Sequence, residues 1–160
     1  MKRYTLAYIK NEDKVLMIHR VKKKDDVNEG KWIGIGGKIE ENETIYDSLI
    51  RETKEETNLT IGDYTFLGII KFYYYKNDIS DEELIYAYNL FGCQGEFRPN
   101  EEGIFEWINN NKVKYLELWD GDRYFIGEML ENKYFGTYEF YYQDDILTKA
   151  VKNEEIIYQR

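Results

Sequence analysis

Cysteine, proline and histidine occur only once each in this chain of 160 residues. The lone Cys93 excludes an internal disulfide and any zinc site built from several cysteines. The lone Pro99 and the lack of low-complexity tracts leave no segment that reads as an interdomain linker. We therefore expect one domain over residues 1–160, a length that can enclose a sizeable core.

Positive charge and long apolar runs are also scarce. The formal net charge of −9 disfavours a broad basic face for a nucleic acid polymer. A phosphorylated small molecule remains possible if a divalent cation mediates. No segment reaches the ~18–20 apolar residues of a membrane span, and the first residues lack the apolar stretch of a signal peptide. We expect a cytoplasmic protein, a monomer or weak dimer, without a membrane partner.

Aromatic residues are abundant, with 16 Tyr, 8 Phe and 3 Trp, which argues for a packed globular protein. Apolar and β-branched patterning predicts a mixed sheet with helices packed on it, an α/β (α+β) fold. Asp120 or Asp122 is the predicted N-cap of the second helix. The predicted strands are 4–9, 14–20, 64–76, 84–93, 103–108 and a closing hairpin of 134–142 and 146–152; residues 32–38 form a strand or turn, and the helices are 44–57 and 120–132.

The first predicted helix carries acidic residues where its apolar face should continue. At roughly 100° per residue, Ile45 and Leu49 begin an inward stripe that Glu52 and Glu56 extend. Composition alone favours a solvated face, where like-charge pairs cost only ~0.2–0.5 kcal/mol each. The stripe instead favours partly buried carboxylates. Three further residues are predicted to widen its less polar side: Tyr46, Ile50 and Thr53.

Partly buried carboxylates of this kind require a cation. Two of them ~5.5 Å apart repel by ~3 kcal/mol at an effective dielectric of 20. Mg²⁺ and Mn²⁺ prefer carboxylate oxygens and often share them with substrate phosphates. Gly34, Gly36 and Gly37 precede the helix and free the backbone to approach a ligand. With Lys38 beside them, these residues predict a metal–phosphate site.

The same stretch resembles the Nudix hydrolase box, G-x5-E-x7-R-E-U-x-E-E-x-G-U, where U is a bulky apolar residue. Thr53 stands where a bulky aliphatic residue is usual, and Asn58 stands where glycine is usual. Asparagine is the residue next best able to adopt the left-handed conformation at a helix end. The matching residues are Gly37, Glu43, Arg51, Glu52, Glu55, Glu56 and Leu59.

The resemblance spans nearly the whole chain and extends to the MutT-like enzymes that hydrolyse oxidised purine nucleoside triphosphates. It is carried by RYTLAYI (3–9), EGKWIGIGGK (29–38), LWDGDRYF (118–125) and the segment 134–153. It implies a Nudix α/β/α sandwich with a mixed central sheet and a C-terminal β-hairpin. It also implies a Mg²⁺ cofactor, with Mn²⁺ as a possible substitute, and hydrolysis of a nucleoside triphosphate to the monophosphate and pyrophosphate.

The resemblance also assigns catalytic roles. The Gly36 carbonyl and the carboxylates of Glu52, Glu55 and Glu56 would hold Mg²⁺, with Glu102 as a further ligand from a loop outside the box. Glu101 takes that place if the register differs by one residue. Arg51 would orient the glutamates by ion pairing, or form a simple surface pair of little energetic weight. The general base stays open among Glu52, Glu56 and Glu102.

Substrate contacts follow from the same resemblance. Trp119 would stack on a purine, although a core tryptophan is the alternative, and Asp122 would accept hydrogen bonds from the base. Ile33 replaces a usual asparagine and Gly121 a usual aspartate, which puts selection of 8-oxo-guanine in question. The remaining candidates are Thr5, Arg20, Gly36, Gly37 and Lys38, with Phe72 and Val27 as pocket walls. Apart from the resemblance, the run VKKKDD (21–26) reads as a solvated loop, with guidance of a polyanion by Lys22 to Lys24 as the alternative.

Two alternatives stay open. One is a Nudix hydrolase of another nucleoside diphosphate derivative; a capped RNA end is disfavoured because the chain has no basic groove. The other is a nucleotide-binding module that keeps the fold without catalysis. The intact set of Glu52, Glu55 and Glu56 favours an enzyme.

Overall fold

A mixed β-sheet forms the centre of the fold in the computed structural model, which describes residues 1–21 and 28–160. Val27 and Lys22 to Lys24 therefore lie outside the described residues. The strands are β1 Lys2–Asn11, β2 Lys14–His19, β3 Trp32–Ile33, β4 Ile35–Lys38, β5 Asp63–Lys76, β6 Ile79–Phe91, β7 Ile104–Asn109, β8 Gly136–Gln143, β9 Ile146–Lys152 and β10 Glu155–Gln159; the helices are α1 Ile45–Thr57 and α2 Asp122–Leu130, with a 3₁₀ helix at Asn110–Tyr115.

The sheet runs in the order β10-β9-β8-β5-β6-β1-β2-β3, while β4 pairs with β1 and β7 with β2. The pairs β1/β6 and β5/β8 are parallel and the others antiparallel, so the sheet is mixed, as predicted. A long hairpin joins β5 and β6 through Asn77 and Asp78, both with positive φ. Two residues with positive φ suit a two-residue hairpin turn. Because the turn is this short, β6 begins at Ile79, five residues before its predicted start at residue 84.

The two α-helices pack on opposite faces of the sheet. Because neighbouring strand residues point to opposite faces, Ala7 and Tyr8 of β1 belong to separate buried clusters. Ala7 lies in the cluster that includes Leu49 of α1, whereas Tyr8 lies in the cluster that includes Phe125 and Met129 of α2. This gives the predicted α/β/α arrangement.

The termini of α1 match the sequence, but the predicted cap of α2 is wrong. Thr44 caps α1 in a capping box with Asp47, and Asn58 ends it in the left-handed conformation at φ 66°. The N-cap of α2 is Gly121, which has no side chain to form a capping hydrogen bond. Tertiary packing sets this helix start, because the Gly121 N–H donates to the Tyr142 hydroxyl at 2.7 Å.

The acidic stripe of α1 is buried as predicted at Glu56, and Thr53 on its predicted less polar side is buried too, but the prediction is wrong for Tyr46 and Ile50. Tyr46 and Ile50 are 42% and 43% exposed, and Tyr46 instead contacts the Tyr64 ring. The buried flank consists of small polar residues that face the sheet: Ser48, Thr53 and Thr57.

Strand β10 was not predicted, and it turns the closing hairpin into three consecutive antiparallel strands. This segment shows little of the alternation between apolar and polar residues that indicates a strand, and its adjacent Ile156 and Ile157 are both exposed. None of the helices in residues 1–21 and 28–160 is both long and apolar enough to cross a membrane.

Thr53 and Thr57 form a matched pair for testing the α1 interface. Within the described residues, the buried Thr53 hydroxyl has no hydrogen-bond partner. The Thr57 hydroxyl donates to the Thr53 carbonyl at 2.6 Å and accepts from the Leu59 N–H at 3.2 Å. Thr53→Val should therefore raise the free energy of unfolding by about 1 kcal/mol, and Thr57→Val should lower it by about 1–3 kcal/mol. Urea denaturation measures both, and shifts of the same sign would contradict this account.

Candidate active site

A cavity of about 460 Å³ extends from β4 and the glutamates of α1 to residues of β5, β6 and β8 and the start of α2. It brings together twelve of the fourteen predicted site residues, whose roles stay predictions. Arg51 and Lys38 do not line it. The lining members of the set are Thr5, Arg20, Ile33, Gly36, Gly37, Glu52, Glu55, Glu56, Phe72, Glu102, Trp119 and Asp122.

One end of the cavity is acidic and partly closed. Glu52 and Glu56 lie on the same side of α1 because they are four residues apart. Glu56 is only 5% exposed, and its Oε2 accepts a hydrogen bond from the Gly36 N–H at 2.8 Å. Burial, with smaller contributions from Glu52 and Glu102, raises the pKa of Glu56 to about 8.

The glycines of β4 allow strand and helix to meet at this end. Gly36 has φ +143°, and a Cβ there would lie 2.0 Å from the Thr5 carbonyl oxygen. A Cβ on Gly37 would lie 2.5 Å from Glu52 Oε1. A side chain at either position would force the backbone or the carboxylate to move, which explains why this segment needs glycine.

Arg51 lies outside the cavity and holds the glutamates in position. Its guanidinium donates to Glu52 at 2.8 Å, to Glu43 at 2.7 Å and to Glu55 at 3.2 Å. It also donates to the Lys38 carbonyl at 3.1 Å. The Arg51 hydrogen bond lowers the pKa of Glu43 to about 2. These contacts exceed a simple surface pair and are those that an orienting role requires.

The donor atoms at the acidic end fit a hard divalent cation held in an open site. The Gly36 carbonyl and the carboxylates of Glu52 and Glu56 are oxygen donors, and their mutual repulsion favours a cation. Glu55 is 59% exposed and pairs with Arg51, and Glu102 is exposed. Among residues 1–21 and 28–160, no three acidic, histidine or cysteine side chains form a ready-made cage.

Trp119 lies at the opposite end of the cavity and belongs to both the core and the cavity wall. It is 6% exposed and packs against the rings of Phe72 at 5.8 Å and Tyr142 at 5.1 Å. Its indole N–H donates to Asn28 Oδ1 at 2.7 Å. Asn28 also lines the cavity, and sequence reasoning missed it because its partner lies 91 residues away.

Asp122 supplies the polar group of this end. It is half-buried, lines the cavity, and sits within an otherwise apolar wall that includes Ile33, Phe72 and Ile85. Burial raises the pKa of Asp122 to about 7, although Arg123 and Lys31 oppose the shift. Glu83 also lines the cavity, and it was not among the predicted residues.

Comparisons with known proteins decide the family. The NUDIX domain model matches residues 2–129. The chain belongs to the Nudix family. The mouse oxidized purine nucleoside triphosphate hydrolase is 30% identical over 151 residues, 93% of each chain, and a Nudix hydrolase of Bacillus subtilis is 26% identical over 160 residues, 98% of each.

The fold of this Nudix protein is shared with solved structures. The MutT protein of Bacillus halodurans superimposes with a TM-score of 0.84 at 24% identity, covering 97% of this chain and 99% of that one. The predicted Nudix fold is thereby confirmed. The family makes the chain a hydrolase of phosphoric anhydride bonds in nucleotides.

The raised pKa of Asp122 predicts a pH-dependent stability. The usual aspartate pKa is 3.8 and the folded value is about 7, so the folded state binds more protons between these values. Stability should therefore fall as pH rises through this window. Asp122→Asn should raise the melting temperature at pH 8 by roughly 5 °C and leave it nearly unchanged at pH 4. Asp120→Asn, at an exposed neighbour, is the control, and an equal effect of both variants would contradict the assignment.

Proposed function

We propose that this Nudix hydrolase is a Mg²⁺-dependent nucleoside triphosphate pyrophosphohydrolase acting on oxidised purine nucleotides such as 8-oxo-dGTP. The products are the nucleoside monophosphate and pyrophosphate. The single observation that carries the proposal is the continuous cavity from buried glutamates to the wall of Phe72, Trp119 and Asp122. Such a cavity suits a ligand with a polyanion at one end and a flat base at the other. The name of the mouse relative supports the same substrate class.

At the phosphate end, the Gly36 carbonyl, Glu52 and Glu56 would hold Mg²⁺, with Glu55 and Glu102 as further ligands. The bound ion supplies Lewis acidity that neutralises charge on the phosphates. Arg51 keeps the Glu52 carboxylate in place through its 2.8 Å contact. Arg20 lines the cavity and would bind a phosphate oxygen. One of Glu52, Glu56 and Glu102 takes the proton of the attacking water.

At the base end, the purine would lie against Phe72 and the edge of Trp119. Asp122 would accept a hydrogen bond from a base N–H, and the apolar neighbours would exclude water. Ile33 contributes packing only, since an isoleucine side chain cannot hydrogen-bond a base edge. The cytoplasmic location, the single domain over residues 1–160 and the monomeric or weakly dimeric state stay predictions.

The direct test measures pyrophosphate release from normal and oxidised purine and pyrimidine triphosphates with Mg²⁺. We expect the highest kcat/KM for an oxidised purine. Faster cleavage of another nucleoside diphosphate derivative would reassign the substrate. Nucleotide binding without any turnover would make the chain a non-catalytic module.

Glu56→Gln tests the acidic end. Activity should fall by at least about 100-fold, because a metal ligand and candidate base is lost. The fold should persist, and the melting temperature without Mg²⁺ should be equal at pH 7 and higher at pH 9, where Glu56 is ionised and the variant removes one of the crowded charges. Glu106→Gln, at an exposed position on β7, is the control. Unfolding of the metal-free Glu56→Gln protein would contradict this account.

Ile33→Asn tests whether residue 33 contacts the base. A new amide at the cavity wall should add one hydrogen bond to the base and improve selectivity for 8-oxo-dGTP over dGTP by about 2- to 10-fold. Steady-state kinetics with both nucleotides measure the ratio, and Ile33→Val is the control. Unchanged kinetics in the asparagine variant would place the base elsewhere.

A further inference from the structure

Glu83 is an acidic residue in the interior of the sheet that faces the cavity. It lies on β6, which has β5 on one side and β1 on the other, so it is not an edge-strand residue. Ile85, two residues further along the same strand, also lines the cavity. Residues two apart on a strand share a face, so Glu83 belongs to the wall that holds Ile85 and Phe72.

The carboxylate of Glu83 has no local structural role that would account for its position. Within residues 1–21 and 28–160, its side chain makes no hydrogen bond or salt bridge, and the nearby Lys2 pairs with Asp81 at 2.7 Å. Burial raises the pKa of Glu83, Asp81 adds to the shift, and Lys2 opposes it. A half-buried carboxylate that makes no hydrogen bond or close ion pair is destabilising unless a ligand satisfies it.

Glu83 is remote from the acidic end of the cavity. The charges that shift its pKa are Asp81 and Lys2, whereas the pKa of Glu56 responds to Glu52 and Glu102 and that of Glu52 to Arg51, Glu55 and Glu102. It is therefore not a further member of the group that would hold Mg²⁺.

The sheet register places Glu83 and Asp122 on either side of Phe72. Phe72 pairs with Glu83 of β6 on one side and with Phe140 of β8 on the other. Gly121, the neighbour of Asp122, stands over Phe140, since a Cβ on it would lie 2.8 Å from Phe140 Cγ. Strands β6 and β8 are two strand spacings apart, about 9–10 Å. That span accommodates a purine ring with a hydrogen bond at each edge.

We propose that Glu83 is a specificity-determining residue that accepts a hydrogen bond from N7–H of the oxidised purine, while Asp122 accepts from the N1–H and 2-amino edge. This inference rests on the proposed function for the class of ligand. In guanine, N1–H and the 2-amino group are donors, whereas N7 is an acceptor that a carboxylate repels. Oxidation at C8 converts N7 into an N–H donor. Two carboxylates on opposite edges therefore select 8-oxo-guanine over guanine, although Ile33 offers no polar contact.

The test compares Glu83→Gln with Glu82→Gln, an exposed neighbour on the same strand. Calorimetric titration of each full-length protein with 8-oxo-dGMP and with dGMP gives the ratio of the two dissociation constants. Glu83→Gln should weaken 8-oxo-dGMP binding by about 10- to 100-fold, the loss expected for a hydrogen bond to a charged group. Binding of dGMP should hold or improve, because an amide can donate to N7. Glu82→Gln should leave the ratio unchanged.

Several outcomes would overturn the inference: no preference of the wild-type protein for 8-oxo-dGMP, an equal loss for both ligands in Glu83→Gln, or an unchanged ratio. Thermal melting of both variants separates misfolding from lost recognition, and a variant Glu83→Met that folds must lose the preference as well. The binding ratio does not depend on turnover. A protein that prefers 8-oxo-dGMP but cleaves no triphosphate would refute the proposed hydrolysis and retain the role of Glu83.

Discussion

The burial of Glu56 against the backbone of β4 is the interaction on which the rest of the site depends. Its carboxylate is held by the Gly36 N–H, and the glycine at 36 lets β4 lie close to β1, because a Cβ there would clash with the Thr5 carbonyl oxygen. Removing a carboxylate from water is costly unless its charge is compensated. The protein supplies one hydrogen bond and, in Glu52 and Glu102, further negative charge. A bound cation would relieve this repulsion, and the proposed metal site rests on that expectation.

Arg51 shows how the protein controls this repulsion without cancelling it. Its guanidinium binds Glu43, Glu52 and Glu55 from outside the cavity. Glu43 forms a strong ion pair with the Arg51 guanidinium, as its lowered pKa indicates. The carboxylate of Glu52 is thus positioned while the cavity side of the helix keeps an excess of negative charge, as the proposed metal site would require.

Local periodicity predicted which acidic residues of α1 lie together, but it did not predict that Asn28 and Glu83 line the other end of the cavity, for physical reasons. Glu52 and Glu56 are four residues apart on one helix, so local periodicity is enough to bring them together. The same periodicity did not predict that Tyr46 and Ile50 are exposed. The packing of α1 on the sheet decides which of its flanks is buried, and only small side chains fit in that interface. The contact of Asn28 with Trp119 joins distant segments and leaves no periodic signal. Glu83 belongs to the polar run SDEE (80–83), which the sequence alone suggests is exposed to solvent. Only its pairing with Phe72 shows that its side chain faces the cavity.

The two ends of the cavity come from different stretches of the chain. The proposed donors for a cation are concentrated between Gly36 and Glu56, whereas the opposite wall reaches as far as Phe140 on β8, beyond the residues that the family model covers. The strands after α2 therefore help to shape the far end of the cavity without contributing to its acidic end. A substitution at Phe140 would reshape that end while the contacts of Glu56 with β4 stay in place.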